Sequence, residues 1–373
     1  IGVPSSSRFT RFSKRAKSDC ASLILSVWKD TELSISANLP VAASRSRRKF
    51  LRSDSKVVIF LSSLAFSSMI KTVKLFGAWL LEKGFFMTEE LLAYKRMPLW
   101  TADTMPEAVK RKHNTKEGTW GKITVLKGRL KFVEMSEEGE ELAEHIFEAG
   151  QDNPFAQPQA WHRVEALTDD LEWYLEFYCR PEDYFPKKYG SNPVHSEVLE
   201  AMQTVRPGRA LDLGCGQGRN ALFLAKQGFE VTAVDQNELA LEILRSIVEQ
   251  EDLDLPVGSY DINSASLTQT YDLIVSTVVL MFLQAERIPH IIRNMQEHTA
   301  LGGYNLIVCA MDTEDFPCSV PFPFTFKEGE LADYYKDWEL VKYNENPGHL
   351  HRRDENGNRI QLRFATMLAK KVQ

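Results

Sequence analysis

The stretch RALDLGCGQGRNALFLAKQGFEVTAVD, residues 209–235, constrains the fold more than any other part of the chain. It starts with a short apolar run typical of a buried strand, continues with a helical apolar period and ends in a second strand-like run. The link between the first strand and the helix carries Gly214, Gly216 and Gly218. Glycine allows a tight left-handed turn and a close approach of a ligand to the backbone. This order of segments predicts a doubly wound parallel sheet with a ligand at the turn.

The alternation of strands and helices continues to the C-terminus. Helical periods occur in NELALEILRSIVEQE and ERIPHIIRNMQEHT, and apolar strand-like runs occur in YDLIVST and GYNLIVCAM. A short strand is expected near LPVGSYDI, and RIQLRFATMLAKK alternates in the manner of a final edge strand. We therefore expect residues 181–373 to form an α/β domain around a mostly parallel, doubly wound sheet.

Residues 87–180 have an all-β pattern instead. TWGKITVLKGRLKFVEM (119–135) alternates apolar and polar residues on both sides of KGR, which predicts two strands joined as a hairpin. The runs AEHIFEAG, AWHRVEAL and LEWYLEFYC follow at the spacing of a small barrel or sandwich. The stretch CRPEDYFPKKYGSNP (179–193) contains prolines and a glycine, and we expect it to link the β domain to the α/β domain.

The first 86 residues differ from the rest of the chain. They contain 17 serines and 15 Lys and Arg against 5 Asp and Glu. The basic run SRSRRKF (44–50) precedes the apolar run VVIFLSSLAFSSMI (57–70), and targeting segments share such features. The chain begins with Ile, whereas MTEELLAYKRMPLW from Met87 resembles a natural start. The favoured interpretation is a spurious or disordered extension without function; a targeting segment and a real domain are the alternatives.

Charge and cysteine usage exclude several classes of protein. After residue 86 the chain holds 30 Lys and Arg against 46 Asp and Glu, and such an acidic body argues against a nucleic-acid substrate. The five cysteines form no C-x-x-C pair, which argues against a disulfide framework or a cysteine zinc site. The apolar run at 57–70 is too short to span a bilayer. We expect a cytoplasmic protein that does not act on a membrane.

Acidic residues follow three consecutive predicted strands of the α/β domain. Asp212 lies two residues before the first glycine, Asp235 ends the second strand and Asp261 follows the third. The carboxyl ends of parallel strands meet at one edge, so these carboxylates should surround one ligand. Asp235 can accept hydrogen bonds from ribose hydroxyls. Asp212 suits the amino group of a zwitterionic amino acid.

A nicotinamide-dependent oxidoreductase is the competing enzyme class. Its G-x-G-x-x-G fingerprint places a pyrophosphate at the helix N-terminus. Here Arg219 occupies the third glycine position of that fingerprint, because the spacing is G-x-G-x-G. The negative charge of Asp212 would also repel a pyrophosphate. The turn therefore favours S-adenosylmethionine over a dinucleotide.

The D-x-G-x-G-x-G spacing resembles motif I of the class I S-adenosylmethionine-dependent methyltransferases, which have a seven-stranded sheet. Five segments resemble the bacterial tellurite-resistance methyltransferases of the TehB family. They are LDLGCGQGRNALFLA (211–225), YDLIVSTVVLMFL (271–283), GGYNLIVCAMDTEDFPC (302–318), FPFTFKEGEL (322–331) and GHLHRRDENGNRIQLRFATMLAKK (348–371). The stretches KHNTKEGTWGK and PQAWHRVEAL resemble the N-terminal domain of longer members, so the resemblance extends from Met87 to the C-terminus. It implies methyl transfer from S-adenosylmethionine to tellurite and selenite.

The resemblance also implies a cofactor site made of residues that follow the predicted strands. These residues are Asp212, Gly214, Cys215, Gly216, Gly218, Asn220, Asp235, Gln236, Asp261, Ile262, Ser276, Thr277 and Val278. Tyr189 and His195, from YFPKKYGSNPVHSEV, are expected to cover the cofactor, with plain packing as the alternative. Cys215 is expected to be a small residue that fits a crowded turn rather than a nucleophile.

An oxyanion substrate needs cationic hydrogen-bond donors at the mouth of the cofactor pocket. The stretch HLHRRDENGNR supplies them on a hairpin-like loop whose turn is DENGN. By resemblance, His351, Arg352 and Arg359 serve the substrate, and His351 orients the oxyanion or carries a proton. The alternative is a solvated loop between two edge strands, and His349 and Arg353 are assigned to such a loop.

The β domain at 87–180 looks cupin-like. A catalytic cupin holds a metal with two or three histidines and a carboxylate, and the candidates here are His113 and His162, without the usual H-x-H pair. A metal-free barrel used for ligand binding or for forming a homodimer is the favoured interpretation. Two functional alternatives stay open for the whole chain: a methyltransferase for another small acceptor such as a thiol metabolite, and a non-catalytic sensor of anions and cofactor levels.

Overall fold

The computed structural model describes residues 90–373, apart from the side chains of His351 and Arg352. The described residues belong to one compact unit. None of the helices in this range is long and apolar enough to cross a membrane. The expectations for the N-terminal 86 residues, including the apolar run at 57–70, lie outside the described residues.

The regular elements are mostly strands up to Cys179, called the β region here, and alternating helices and strands after it, called the α/β region. The strands are β1 (Leu92–Arg96), β2 (Trp100–Thr101), β3 (Trp120–Lys127), β4 (Arg129–Met135), β5 (Glu141–Glu148), β6 (Phe155–Ala156), β7 (His162–Ala166), β8 (Glu172–Cys179), β9 (Arg209–Leu213), β10 (Glu230–Asp235), β11 (Val257–Ser259), β12 (Tyr271–Thr277), β13 (Thr299–Ala310), β14 (Glu339–Arg353) and β15 (Arg359–Lys370). The α-helices are α1 (Glu107–Lys110), α2 (Tyr184–Tyr189), α3 (Ser196–Ala201), α4 (Arg219–Lys226), α5 (Glu238–Gln250), α6 (Ile288–Glu297) and α7 (Glu330–Tyr334).

The α/β region contains a seven-stranded sheet in the order β11-β10-β9-β12-β13-β15-β14. The strands from β9 to β13 pair in parallel, whereas β15 pairs antiparallel with both β13 and β14. The predicted doubly wound, mostly parallel sheet is confirmed. The prediction of a C-terminal edge strand is wrong, because β15 inserts between β13 and β14. Burial of every residue from Phe364 to Ala369 is the physical mark of this interior position.

Both faces of this sheet are covered. Helices α3, α4 and α5 pack on one face through residues such as Val198, Leu222 and Leu244. Helices α6 and α7 pack on the other face through Ile291 and Leu331. A sheet buried on both faces requires nearly continuous apolar strands. This requirement explains why YDLIVST reads as an unbroken apolar run.

The β region consists of two antiparallel sheets that share one core. One sheet has the order β1-β8-β3-β6, with β2 also paired to β8, and the other has the order β5-β4-β7. Trp173 of the first sheet and Leu130 of the second meet in the core. Because β3 and β4 belong to different sheets, the hairpin predicted at KGR is wrong. Gly128, with φ of 71°, lets the chain turn a corner between the sheets. The cupin-like barrel stays a prediction.

Helix α2, which follows the β region, is anchored to the α/β region by Glu251. The Glu251 side chain is 5% exposed and lies just beyond the end of α5. It accepts hydrogen bonds from Lys188 at 2.6 Å, Tyr189 at 2.7 Å and Lys226 at 3.1 Å. Burial alone would raise the pKa of Glu251, but these hydrogen bonds outweigh burial and lower the pKa to about 2. One carboxylate thereby joins α2, α4 and α5.

Replacing Glu251 with Gln should lower thermal stability, because Gln keeps the shape but not the charge. Hydrogen bonds to charged groups contribute about 1.5–3 kcal/mol, so we expect a loss of roughly 2 kcal/mol at neutral pH. The pKa of about 2 lies below the ordinary value of 4.5. The ionised carboxylate therefore stabilises the fold above that ordinary value, and this advantage is lost as the pH falls towards the lower one.

Thermal unfolding of E251Q between neutral and acidic pH measures this contribution, with the exposed neighbour Glu249→Gln as the matched control. The deficit of E251Q should shrink steadily with acidification, and E249Q should follow the wild type throughout. A deficit that stays constant across the pH range would contradict the assigned role of the charge.

Candidate active site

The three glycines after β9 all have left-handed backbones, with φ of 82° at Gly214, 53° at Gly216 and 81° at Gly218. A Cβ at Gly214 would lie 2.6 Å from Val279, and one at Gly218 would lie 2.3 Å from Leu244. A Cβ at Gly216 would meet no described atom within 4 Å. The outer glycines therefore permit close packing, whereas the surroundings of Gly216 are open to a ligand.

Hydrogen bonds hold this turn against β10 and α5. The Gly214 N–H donates to the Val234 carbonyl at 2.8 Å, and the Gly216 N–H donates to Asp235 Oδ2 at 2.8 Å. Asp235 Oδ1 accepts a hydrogen bond of 2.8 Å from the N–H of Asn237, which precedes α5. Each carboxylate oxygen can accept a second hydrogen bond, so Asp235 can still bind a ligand hydroxyl.

Asp212 is buried beneath the turn, with 1% of its surface exposed. Its Oδ2 accepts a hydrogen bond of 3.0 Å from the Ala221 N–H in the first turn of α4. Burial raises the pKa of Asp212 to about 7, although the Ala221 hydrogen bond and nearby Arg219 oppose this rise. A cationic ligand group beside the turn would favour the ionised form of Asp212.

Asp261 lies at the same edge as Asp235, because β10 and β11 are adjacent parallel strands. Its Oδ1 accepts hydrogen bonds from the backbone and side-chain N–H groups of Asn263, at 3.0 and 3.1 Å. The two neighbouring predicted residues have opposite environments: Gln236 is exposed and Ile262 is buried in the core. Asp261 is itself exposed and can accept a further hydrogen bond from a ligand.

Asn220 connects α4, β12 and the segment before α3. Its Nδ2 donates to Thr277 Oγ1 at 3.0 Å, and its Oδ1 accepts from the His195 N–H at 3.1 Å. Asn220 and Thr277 are both buried. The predicted site residues Asn220, Thr277 and His195 therefore lie together beside the glycine turn, held by one side chain.

The end of β12 is strained. Val278 has φ of 62°, a conformation that is rare for a β-branched residue and that recurs at binding sites. Its N–H donates to the Val308 carbonyl at 2.7 Å, which fixes the chain in place. The buried hydroxyl of the preceding Ser276 has no hydrogen-bond partner among the described residues.

A cavity of about 620 Å³ lies beside this edge. Arg219 and Val278 bound the cavity on the side of the turn, and His349 bounds it from β14. Phe282 and Phe322, whose rings meet edge to face at 5.3 Å, form part of an apolar wall. The volume falls within the range of small-ligand sites, and the wall offers both cationic and apolar contacts.

The sequence predicts neither Arg219 nor His349 as a site residue, yet both line this cavity. Arg219 directly follows the third glycine as the first residue of α4. Because the N-terminus of this helix lies at the ligand edge, the sequence contained a signal that could have identified Arg219 as a site residue. His349 belongs to β14 and pairs with Gln361, so its assignment to a loop is wrong, while its side chain is exposed as expected. Its position depends on long-range strand pairing, which leaves no local signal.

The predicted substrate residues lie on the same β14–β15 hairpin, nearer its tip. His351 and Arg352 belong to β14, and Arg359 begins β15 opposite Arg353. The DENGN turn at its predicted position joins the two strands. The register shifts between His349 and Arg353, so simple alternation does not assign the faces of β14 there. The roles of His351, Arg352 and Arg359 stay predictions.

The Tyr189 hydroxyl lies away from the glycine turn. It donates to Glu251 Oε1 beyond the C-terminal end of α5, whereas the turn precedes the N-terminal end of α4. The predicted role of Tyr189 as a cover for the cofactor gains no support from this position. Its contacts are those of an anchor between helices.

Cys215 is buried within the turn. Burial raises the pKa of its thiol, and the nearby carboxylates of Asp212 and Asp235 raise the pKa further. A thiol held in its protonated form is a weak nucleophile. The expected role of Cys215 as a packing residue agrees with these surroundings.

The candidate metal residues His113 and His162 meet in the β region, where their ring centroids are 4.3 Å apart. Within residues 90–373, no group of three or more His, Cys, Asp and Glu side chains is arranged to hold a metal ion. Metal sites in proteins generally use at least three protein ligands. The described residues therefore give this histidine pair no third ligand.

The residues at the sheet edge fit S-adenosylmethionine. Gly216 leaves space at the turn, Asp235 and Asp261 retain hydrogen-bond acceptors, and buried Asp212 gains from a nearby cation. The sheet has seven strands and is mostly parallel, as the resemblance to the class I methyltransferases implies. Fold and site together define a class I S-adenosylmethionine-dependent methyltransferase.

Comparisons with known proteins identify the family. The family described as "Tellurite resistance protein TehB" matches residues 177–368, and the family described as "TehB-like domain" matches residues 95–175. A relative from Haemophilus influenzae, "Probable S-adenosyl-L-methionine-dependent methyltransferase TehB", is 58% identical over 285 residues, which cover 76% of this chain and 100% of that protein. The chain belongs to the TehB family.

Two further known proteins are similar to this chain. The crystal structure of TehB from Haemophilus influenzae is 57% identical, covers 76% of this chain and 100% of its own chain, and superposes with a TM-score of 0.74. "Hemagglutinin 1" from Eikenella corrodens is 53% identical over 238 residues, which cover 64% of this chain and 79% of that protein.

Replacing Gly216 or Gly218 with Ala should distinguish a glycine that leaves room for the ligand from a glycine that permits close packing of helices. The left-handed backbone costs an L-residue about 1–2 kcal/mol at either position. Of these two positions, only at Gly218 would the added methyl group overlap a buried neighbour, and overpacking adds roughly 1–3 kcal/mol. We expect G218A to lose the greater stability in chemical denaturation. We expect G216A to lose at least about tenfold in calorimetric affinity for S-adenosylmethionine. Equal stability losses in the two variants would rule out this distinction.

Replacing Asp212 with Asn should raise thermal stability at pH 8 and weaken cofactor binding. The pKa of Asp212, about 7 in the fold, lies above the ordinary value of 3.8. The folded state therefore binds a proton more tightly, and the wild type loses stability as the pH rises between these two values. Asn keeps the hydrogen bond to Ala221 without carrying a charge, but it loses the attraction for a cationic amino group.

Melting temperatures at pH 8 and pH 4, with calorimetric titration of S-adenosylmethionine, test the effect of D212N. The stabilisation should disappear at pH 4, and the exposed control Asp254→Asn should change neither property. Unaltered cofactor affinity in D212N would exclude Asp212 from the site.

Proposed function

We propose that this enzyme methylates a small oxyanion, with tellurite as the main acceptor and selenite as a second one. The observation that carries the proposal is the cavity of about 620 Å³ between the glycine turn and the β14–β15 hairpin. Arg219 supplies a cation on one side of the cavity, and His349 and Leu350, the first two residues of the cluster HLHRRDENGNR, line the other side. The description of the matching family as a tellurite resistance protein supports the same acceptor.

Bound S-adenosylmethionine supplies a methyl group that its sulfonium charge has already activated. Asp235 would accept hydrogen bonds from the ribose hydroxyls, and Asp261 would accept one from the adenine amino group. Asp212 and the open space at Gly216 would receive the amino-acid part. The main task of the protein is then to align donor and acceptor, and such alignment can supply about 7–11 kcal/mol of a barrier.

Cationic side chains would hold the acceptor in line with the methyl group. Arg219, Arg352 and Arg359 would donate charge-assisted hydrogen bonds to the oxyanion, and His351 would orient it or move a proton. The tellurium lone pair forms the new bond to carbon, while the electron pair of the broken S–C bond stays on sulfur. Burial lowers the pKa of Arg219, whose ordinary value is so high that the guanidinium keeps its charge.

A thiol metabolite is the second candidate acceptor, favoured by the size and lining of the cavity. An oxyanion fills only a small part of about 620 Å³, and Phe282, Val320, Phe322 and Leu350 offer an apolar surface. An acceptor with an apolar body would use this wall. The thiol sulfur would form the bond to carbon after losing its proton, and His349 or His351 could take that proton.

We further propose that residues 87–180 and 181–373 act as separate domains of a cytoplasmic enzyme that forms a homodimer. Separate hydrophobic cores support the division, because the β region has its own cluster around Trp173 and the α/β region has one on each face of its sheet. Light scattering of the purified protein tests the assembly.

Replacing Arg359 with Met should lower kcat/KM for tellurite by roughly 10–100-fold, because a hydrogen bond to a charged group contributes about 1.5–3 kcal/mol. Arg353, opposite Arg359 in the hairpin, donates to the Gly357 carbonyl at 2.5 Å and serves as the matched control. Arg353→Met should change kcat/KM less than about twofold.

Mass spectrometry of S-adenosylhomocysteine and of methylated product measures transfer to tellurite, selenite and a small thiol side by side. Binding of S-adenosylmethionine should be equal in both variants. Equal losses of transfer in R359M and R353M would remove Arg359 from the substrate site. Transfer to the thiol without transfer to either oxyanion would replace the first candidate by the second.

A further inference from the structure

The β region contains a second cavity, of about 530 Å³, which shares no lining residue with the cavity beside the glycine turn. Strands β3, β7 and β8 contribute to its wall. The indole rings of Trp100 and Trp173, with centroids 5.0 Å apart, form part of an apolar surface together with Ile123 and Leu175. This volume and lining are typical of a site for a small organic molecule.

His113 and His162 supply polar groups to the same wall. The Nδ1 atoms lie 2.9 Å from the Arg111 carbonyl and 2.8 Å from the Ala160 carbonyl, respectively. A carbonyl oxygen only accepts hydrogen bonds, so both rings carry their proton on Nδ1 when neutral. Each Nε2 then presents a lone pair. Burial, together with the neighbouring His113, lowers the pKa of His162 to about 4, so this ring is neutral at pH 7.

The charged side chains on the wall are all basic. Lys95, Lys116 and Lys187 line the cavity, and none of its described lining residues is Asp or Glu. Lys187, from α2, is held in place by the Glu117 carbonyl at 3.1 Å and Thr119 Oγ1 at 3.0 Å. This one-sided charge attracts an anion and disfavours a cation of the same shape.

We propose that this cavity binds a small carboxylic acid with an aromatic or similarly apolar body. The apolar body packs on the indole rings, and the lysines attract the carboxylate. One proton is taken up from the solvent on binding and is shared between the carboxylate and Nε2 of His113 or His162, which converts a lone pair on the wall into a donor for the carboxylate. A neutral amide of the same shape has no negative charge to attract the lysines or to favour this proton uptake. An amine of the same shape meets repulsion.

Quenching of tryptophan fluorescence by benzoate, benzamide and benzylamine tests the proposal on the full chain at pH 7. Benzoate should bind at least about tenfold more tightly than benzamide, and benzylamine should bind most weakly, as expected for one charge-assisted contact. Benzylamine binding as tightly as benzoate would overturn the proposal.

A variant localises the site. His162→Phe keeps an aromatic ring beside Phe132, which stacks on His162 at 4.9 Å, but it removes the ring nitrogens. It should weaken benzoate binding at least about tenfold and leave benzamide binding unchanged, whereas His290→Phe on the surface of α6 should change neither. If H162F does not fold, the order of the three probes on the wild type decides the outcome.

The two cavities are distinguished by competition. Benzoate should bind equally well in the presence and absence of saturating S-adenosylhomocysteine and tellurite. Benzoate that these ligands displace would lie in the methyltransferase cavity, and the proposal for the β region would then be wrong. A failure of methyl transfer to tellurite leaves this measurement unaffected.

Discussion

The left-handed turn between β9 and α4 is the constraint on which the site depends. Its glycines adopt backbones that cost other residues about 1–2 kcal/mol, and this freedom lets α4 begin directly beyond the carboxyl end of β9. The helix then packs so close to α5 that a Cβ at Gly218 would lie 2.3 Å from Leu244. In the same turn, the Gly216 N–H donates a hydrogen bond to Asp235 at the end of β10. One local conformation therefore brings two strands and two helices to a single ligand edge.

The cavity beside the glycine turn depends on a different part of the sheet. The antiparallel strand β15 places β14 at the outer edge and carries the hairpin towards the glycine turn. Lys342 of β14 bonds to Glu197 of α3, 145 residues away in the chain, and to Glu200 on the same helix. These contacts hold the hairpin beside the segment that leaves the β region. His349 reaches the cavity because the whole strand is fixed in this way.

Much of the α/β region could be predicted because local and tertiary preferences agree there. Buried parallel strands, amphipathic helices and left-handed glycines each leave a pattern in the residues themselves. Two predictions were wrong because the same sequence pattern is compatible with two different structural arrangements. Gly128 permits a corner between sheets as readily as a hairpin, and the alternation at the start of β15 resembles that of an edge strand although its second half is buried on both faces. Arg219 had a local signal, whereas His349 had none because its place depends on pairing with Gln361.

The sequence by itself determined the class of the fold, the ligand edge and the charges at that edge. Asp212, the glycines, Asp235 and Asp261 follow their strands directly, and the geometry of parallel strands brings such positions together. Only the tertiary structure decided which side chains line the cavity beside the glycine turn, which helix contacts fix α2, and that the β region encloses a cavity with a basic wall. These features join residues far apart in the chain, and their positions follow from packing between elements rather than from the local preferences of any one segment.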